Sequence, residues 1–135
     1  MSNVKLGARS IERLNTINPT LKAVVLKAFE TMPFDITVIE GVRTKERQRQ
    51  LVASGDSKIM NSKHLARPNG KSDAVDLAPY PVDWKDKSRF NLMAEHMFAA
   101  AKSLGVRIRW GGDWNMNGDW KDERFYDGPH FELLS

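Results

Sequence analysis

Apolar positions recur at helical spacing in two stretches of the chain. After Asn18-Pro19, a cap and first-turn pair, Leu21, Val24, Val25, Ala28, Phe29 and Met32 mark one face of a helix expected to end near Pro33. From Ser88 onward, Phe90, Met93, Ala94, Met97, Ala101 and Leu104 form a second stripe, stopped by Gly105. A third helix is capped by Thr44, runs through Ala53 and closes at Gly55. Residues 35–40 are rich in β-branched side chains and end at Gly41, so they read as a strand that delivers Arg43 to its end. Residues 74–78 form a short strand with Ala74, Asp76 and Ala78 on one face and Val75 and Leu77 on the other. Residues 106–110 and 130–134 supply two more strands, while the polar stretch 56–72, broken by Pro68 and Gly70, is a loop carrying Ser62 and His64. Helices and strands do not alternate as regular βαβ units. The expected class is therefore α+β: residues 1–135 as a single domain, with a small, largely antiparallel sheet flanked by helices.

At 135 residues the chain can bury a core without metal or disulfide staples. It has no cysteine, which removes thiolate zinc sites, disulfides and cysteine nucleophiles from consideration. The opening MSNVKLGARSIERLN lacks the apolar run of a secretory signal, and no stretch approaches the ~18 apolar residues of a membrane span. This predicts a chain made in the cytoplasm, for which work beyond the membrane needs a separate exit route. The net charge of +4 favours anionic partners such as cell-wall material or nucleic acid. Lys45, Arg47 and Arg49 cluster on one segment and Arg107 and Arg109 alternate along another, but solvated faces are the simpler account of both. No recognition-helix or zinc-finger spacing supports a nucleic-acid reading.

The chemistry-bearing residues are divided between mid-chain and C-terminus. Ser62-Lys63-His64 and Asp76 come first, and Asp127-Gly128-Pro129-His130 follows near the end. Two imidazoles and a carboxylate, His64, His130 and Asp76, can hold Zn²⁺ and leave a position open for water. Solvated or hydrogen-bonded histidines are the ordinary alternative. A carboxylate inside a strand otherwise made of Ala, Val and Leu is costly unless it has a metal or a donor. Asp127, three residues before His130, is a candidate general base. Glu132 shares a strand face with His130 and is placed to orient it. His96 lies within the last helix as a surface or boundary residue. Among Trp84, Trp110, Trp114 and Trp120, one or two are expected near a cleft and the rest in packing. Residues 113–119 match the opening of an EF-hand-type Ca²⁺ loop, but the twelfth position is Arg124, leaving Asp122 or Glu123 to complete it; a polar turn is the alternative.

EGVRTKERQ, SKHLARPNGKSDAVDLAPYPVDW, WGGDWN and DGPHFEL, in that order, resemble the VanY-type D-alanyl-D-alanine carboxypeptidase and L-alanyl-D-glutamate endopeptidase family, in particular small phage endolysins of the phage T5 type. The likeness runs from about Arg9 onward. It implies a zinc DD-peptidase fold of the hedgehog/VanX-like type and a zinc peptidase that cuts peptidoglycan peptide stems at L-alanyl-D-glutamate bonds. By the same resemblance His64, Asp76 and His130 are the zinc ligands, Asp127 the catalytic acid or base, Ser62 a substrate-binding residue, and Arg43 the arginine that polarises the scissile carbonyl or holds a substrate carboxylate. An ion pair of Arg43 with Glu40 or Glu46 is the structural alternative. The family further implies a monomer that is neither inserted in a membrane nor bound to nucleic acid, made in the host cytoplasm and acting after the membrane is permeabilised. D-alanyl-D-alanine carboxypeptidase activity and a non-catalytic wall-binding module are the competing readings. The family's short His-x-x-Gly-x-Ala-x-Asp is lengthened here between His64 and Asp76, with Ser72 in the glycine place. That insertion bears on substrate choice more than on metal binding.

Overall fold

A computed structural model describes residues 6–55, 62–122 and 126–134, without the side chain of Asp122. Residues 56–61 of the expected loop, Glu123 and Arg124 lie outside the described residues. In chain order the elements are α1 (Ala8–Leu14), α2 (Pro19–Phe29), β1 (Ile36–Glu40), α3 (Lys45–Ala53), β2 (Ala74–Pro79), α4 (Lys87–Leu104), β3 (Ile108–Trp110), a single 3₁₀ turn (Trp120–Asp122) and β4 (His130–Leu133). The four strands pair antiparallel in the order β1-β2-β4-β3.

Helix ends follow local chemistry. Asn18 accepts the N–H of Thr20 at 2.9 Å ahead of Pro19, and Thr44 accepts that of Arg47 at 3.1 Å. Asp86 caps α4, which begins at Lys87, one residue before the Ser88 start expected from sequence, and Gly105 ends it with φ of 69°. Two details of the apolar stripes differ. Helix α2 stops at Phe29, although Met32 is buried beyond it, and Leu104 is exposed while Ala100 takes an inward place.

One sheet face is core. Val38, Val75, Leu77, Ile108, Trp110 and Phe131 are buried on it beneath α2 and α4, which pack on each other. The opposite face carries the chemistry because the strand period is two. In β4, Phe131 points into the core while His130 and Glu132 point away; in β2, Asp76 opposes His130 directly. A register irregularity between Val38 and Glu40 moves β1 out of phase, so that Glu40 opposes Asp76. Beyond β4 the row continues to Gly111, whose N–H donates to the His130 carbonyl at 2.8 Å. Glu40, Asp76, His130 and Gly111 thus cross the sheet in one line.

Candidate metal centre

Three acceptor atoms converge at this line. His64 Nε2 lies 3.1 Å from Asp76 Oδ1 and 3.2 Å from His130 Nδ1, and His130 Nδ1 lies 3.3 Å from Asp76 Oδ1. Among the described residues this is the one group of three or more His, Cys, Asp or Glu side chains arranged to hold a metal ion. The ring nitrogens on the far sides are already engaged. His64 Nδ1 is 2.8 Å from the Gly41 carbonyl oxygen, which can only accept, so Nδ1 carries the proton and Nε2 presents a lone pair. His130 Nε2 is 2.8 Å from Glu132 Oε1, so its Nδ1 presents a lone pair in the neutral ring.

Two lone pairs and a carboxylate oxygen facing one another repel unless a cation sits among them. Ligands at ~2.0–2.2 Å from a tetrahedral ion stand ~3.3–3.6 Å apart, close to the edges found here. The residues therefore fit a small divalent cation, with protein ligands on three of four positions. In the protein alone a proton relieves the same crowding. Burial lowers the pKa of His130, but hydrogen bonds to Asp76 and Glu132 and the charges of Asp76 and Asp127 outweigh it, raising the ring to about 9. Burial likewise opposes ionisation of Asp76, yet the two histidines hold it well below the usual carboxylate range.

Asp127 stands beside this group. Burial pushes its carboxyl up, and the Asp76 charge adds to that, against the opposing effects of His130, His64 and Arg43. Its N–H donates to Gly111 O at 2.8 Å and its carbonyl accepts the His130 N–H at 3.1 Å, so one tight turn ties base candidate to ligand. Arg43 does form the pair with Glu40: both Nε and Nη2 donate to Glu40 Oε1, while Nη1 donates to buried Gln48 at 2.7 Å. Its Nη2 remains 3.8 Å from Asp76 Oδ2, so the charge still borders the ligand set. The Ser62 hydroxyl oxygen accepts the His64 N–H at 3.1 Å, bracing the loop that presents the first histidine.

Residues 1–134 match the family model described as phage L-alanyl-D-glutamate peptidase. The chain belongs to that family. An L-alanyl-D-glutamate peptidase of Escherichia phage T5 is 37% identical over 139 residues, covering 96% of this chain and 98% of its own. One from Listeria phage A118 is 33% identical over 134 residues, covering 93% of this chain but 41% of its own length. The crystal structure of the Serratia marcescens L-Ala D-Glu endopeptidase ChiX aligns with a TM-score of 0.79 at 31% identity, over 98% of this chain and 92% of that one.

Other residues of this phage-peptidase chain fall into place around the centre. The insertion between His64 and Asp76 is a tight turn, Arg67 and Lys71 bonding across it at 2.8 Å. It is fastened to the α1–α2 junction through Lys71 Nζ to Asn15 O at 2.8 Å and Asn18 N to Ser72 O at 2.7 Å. Trp114 lies with its ring 5.0 Å from that of His130, whereas Trp110 is core, donating to Gly128 O at 2.7 Å. Trp84 is exposed against Phe90, and Trp120 packs on Tyr126. His96 of α4 pairs with Thr31, just beyond the end of α2, at 2.7 Å. In the 113–119 segment Asp113 accepts the N–H groups of Asn117 and Gly118, and Asn117 that of Asp119. Sequence reasoning gave no role to Lys63 or Gly111, which touch Glu132 and the Asp127 turn respectively. Their signal is positional: each adjoins a motif residue.

Proposed function

We propose that this chain is a zinc endopeptidase that hydrolyses the L-alanyl-D-glutamate bond of peptidoglycan stems. The observation that carries the reading is the convergence of His64 Nε2, Asp76 Oδ1 and His130 Nδ1 within 3.1–3.3 Å, with Asp127 at the same end of the sheet. His64, Asp76 and His130 would hold the ion, which when bound supplies Lewis acidity and lowers the pKa of a coordinated water to roughly 7. Asp127 accepts the proton of the attacking water and returns it to the departing amine. The L-alanyl carbonyl carbon gains hydroxyl as its bond to nitrogen breaks, and the D-glutamyl nitrogen leaves as the amine. Burial that raises the Asp127 carboxyl suits a group that must both take and give a proton. Arg43, fixed by Glu40 and Gln48, directs positive charge toward the carbonyl oxygen or a substrate carboxylate. Ser62 contacts substrate from the loop beside His64.

Its action would follow the opening of the membrane by another agent, a reading that the likeness to phage peptidases supports; among the described residues no helix is long and apolar enough to cross a membrane. Digestion of purified sacculi by wild type and Asp127→Ala, with zinc measured in both, tests the proposal. Wild type is expected to release new glutamyl amino termini, identified by mass spectrometry of muropeptides. Asp127→Ala should be slower by ~10²–10⁴ with zinc retained. Equal rates would remove Asp127 as the base, release of D-alanine alone would make the chain a carboxypeptidase, and binding without cleavage would make it a wall-binding module.

A further inference from the structure

Glu132 is 4% exposed, on the same face of β4 as His130, and each of its oxygens has a separate task. Oε1 faces His130 Nε2 at 2.8 Å. Oε2 accepts from Arg109 Nη2 at 2.8 Å and has Lys63 Nζ at 3.6 Å. Lys63 also donates to the Leu133 carbonyl, and Arg109 lies in the register position opposite Glu132 on β3. The Arg109 guanidinium stacks 5.3 Å over Trp114, whose ring in turn lies against His130. A buried carboxylate is thus gripped by two cations on one side and presented to an imidazole on the other.

We infer that Glu132, held by Arg109 and Lys63, is a positioning residue that fixes which His130 nitrogen faces the metal and so sets metal affinity. This rests on the metal reading above. The carboxylate is acceptor-only, so it pairs with Nε2–H and leaves the Nδ1 lone pair toward His64 and Asp76. Carboxylate partners of metal-binding histidines act in this way, orienting the ring and raising its basicity. Arg109 and Lys63 keep the carboxylate from turning and balance its buried charge, so that it stays an acceptor without forming a second anionic site. Trp114 connects the 111–119 segment to the same unit.

Glu132→Gln separates orientation from packing, because the amide has nearly the shape of the carboxylate. Its oxygen is claimed by Arg109 and Lys63, which leaves the NH₂ group facing His130 Nε2. That donor pairs only with a deprotonated Nε2, which moves the ring proton to Nδ1, the nitrogen required by the metal. The full chain is stripped with chelator, zinc affinity is measured by competition with a chromogenic chelator, and the His130 tautomer is read from long-range ¹H–¹⁵N spectra of the zinc-loaded protein. Glu132→Gln is expected to bind zinc ~10–100-fold more weakly than wild type while the zinc-free proteins unfold with similar midpoints. In wild type the proton should sit on Nε2. Zinc affinity of Glu132→Gln within threefold of wild type overturns the inference while the metal reading stands; a proton on Nδ1 in zinc-loaded wild type overturns both, because that nitrogen is the proposed ligand atom. Failure of wild type to take up zinc overturns both. If Glu132→Gln does not fold, Arg109→Met, which keeps Glu132 and removes its firmest partner, is held to the same criterion with an expected loss of ~10-fold.

Discussion

The turn from Asp127 to His130 depends on an absent side chain. A Cβ placed on Gly111 would stand 2.3 Å from the Asp127 carbonyl oxygen, 2.9 Å from Asp127 Cβ and 3.0 Å from His130 Cβ. All three contacts are to Asp127 and His130, the two residues of the turn that carry the proposed chemistry. Gly111→Ala is therefore expected to destabilise by ~1–3 kcal/mol through overpacking and to lower zinc content and sacculus digestion together, measured by urea unfolding and metal analysis. Unchanged zinc content and activity would show that the turn tolerates the methyl group. Tyr126, next to Asp127, donates to Asn91 at 2.9 Å and has its phenol pushed up to about 12 by burial and by the Asp127 charge. Because the folded pKa lies above the ordinary value of 10.0, this group's contribution to stability is complete below pH ~10 and is lost as pH rises toward 12. Absorbance titrations at ~295 nm of wild type and Tyr126→Phe should differ by a phenolate step near 12; a difference step near 10 would refute the buried environment.

Among elements, α1 illustrates what periodicity does not disclose. Its buried residues are Ser10 and Leu14, while Ile11 is 48% exposed, so no apolar stripe announces it. It covers the free edge of β1 by polar contacts. Val38 N–H donates to Ser10 Oγ at 3.0 Å, and Arg13 Nη1 donates to the Val38 carbonyl at 3.0 Å, replacing the ladder partners that an edge strand lacks. Helices α2 and α4, by contrast, were legible because their inward faces are apolar and their caps conventional. Ser10→Ala leaves the Val38 N–H buried without its acceptor and is expected to cost ~1–3 kcal/mol, with faster hydrogen exchange at Val38. An unchanged urea midpoint would mean that water or a shifted Thr37 hydroxyl takes over, since Thr37 Oγ1 lies 3.4 Å from Ser10 Oγ.

At the scale of the whole molecule, core and centre occupy opposite faces of one sheet, which is why both were partly legible in sequence. Period two separates Phe131 from His130 and Glu132, and Val75 and Leu77 from Asp76. What a linear reading lacked was register: that Asp76 opposes His130, that a bulge brings Glu40 level with them, and that Gly111 ends the row. Those are long-range pairings, fixed only when all four strands assemble. The separation has a thermodynamic consequence. The large apolar side chains of the sheet, Val75, Leu77 and Phe131 among them, lie on the side away from the candidate ligands, so folding is expected not to require the ion, whereas binding acts on the folded state alone because 66 residues separate His64 from His130. Zinc at ~1,000 times its Kd should then stabilise by roughly 4 kcal/mol, raising the midpoint by roughly 10–20 °C over chelator-treated protein. Scanning calorimetry checks this. The zinc-free protein should still unfold in one cooperative transition, and Asp76→Ala should lose most of the zinc-dependent increment. A chelated chain with no transition at all would show that the core depends on the metal, contrary to the division of the sheet.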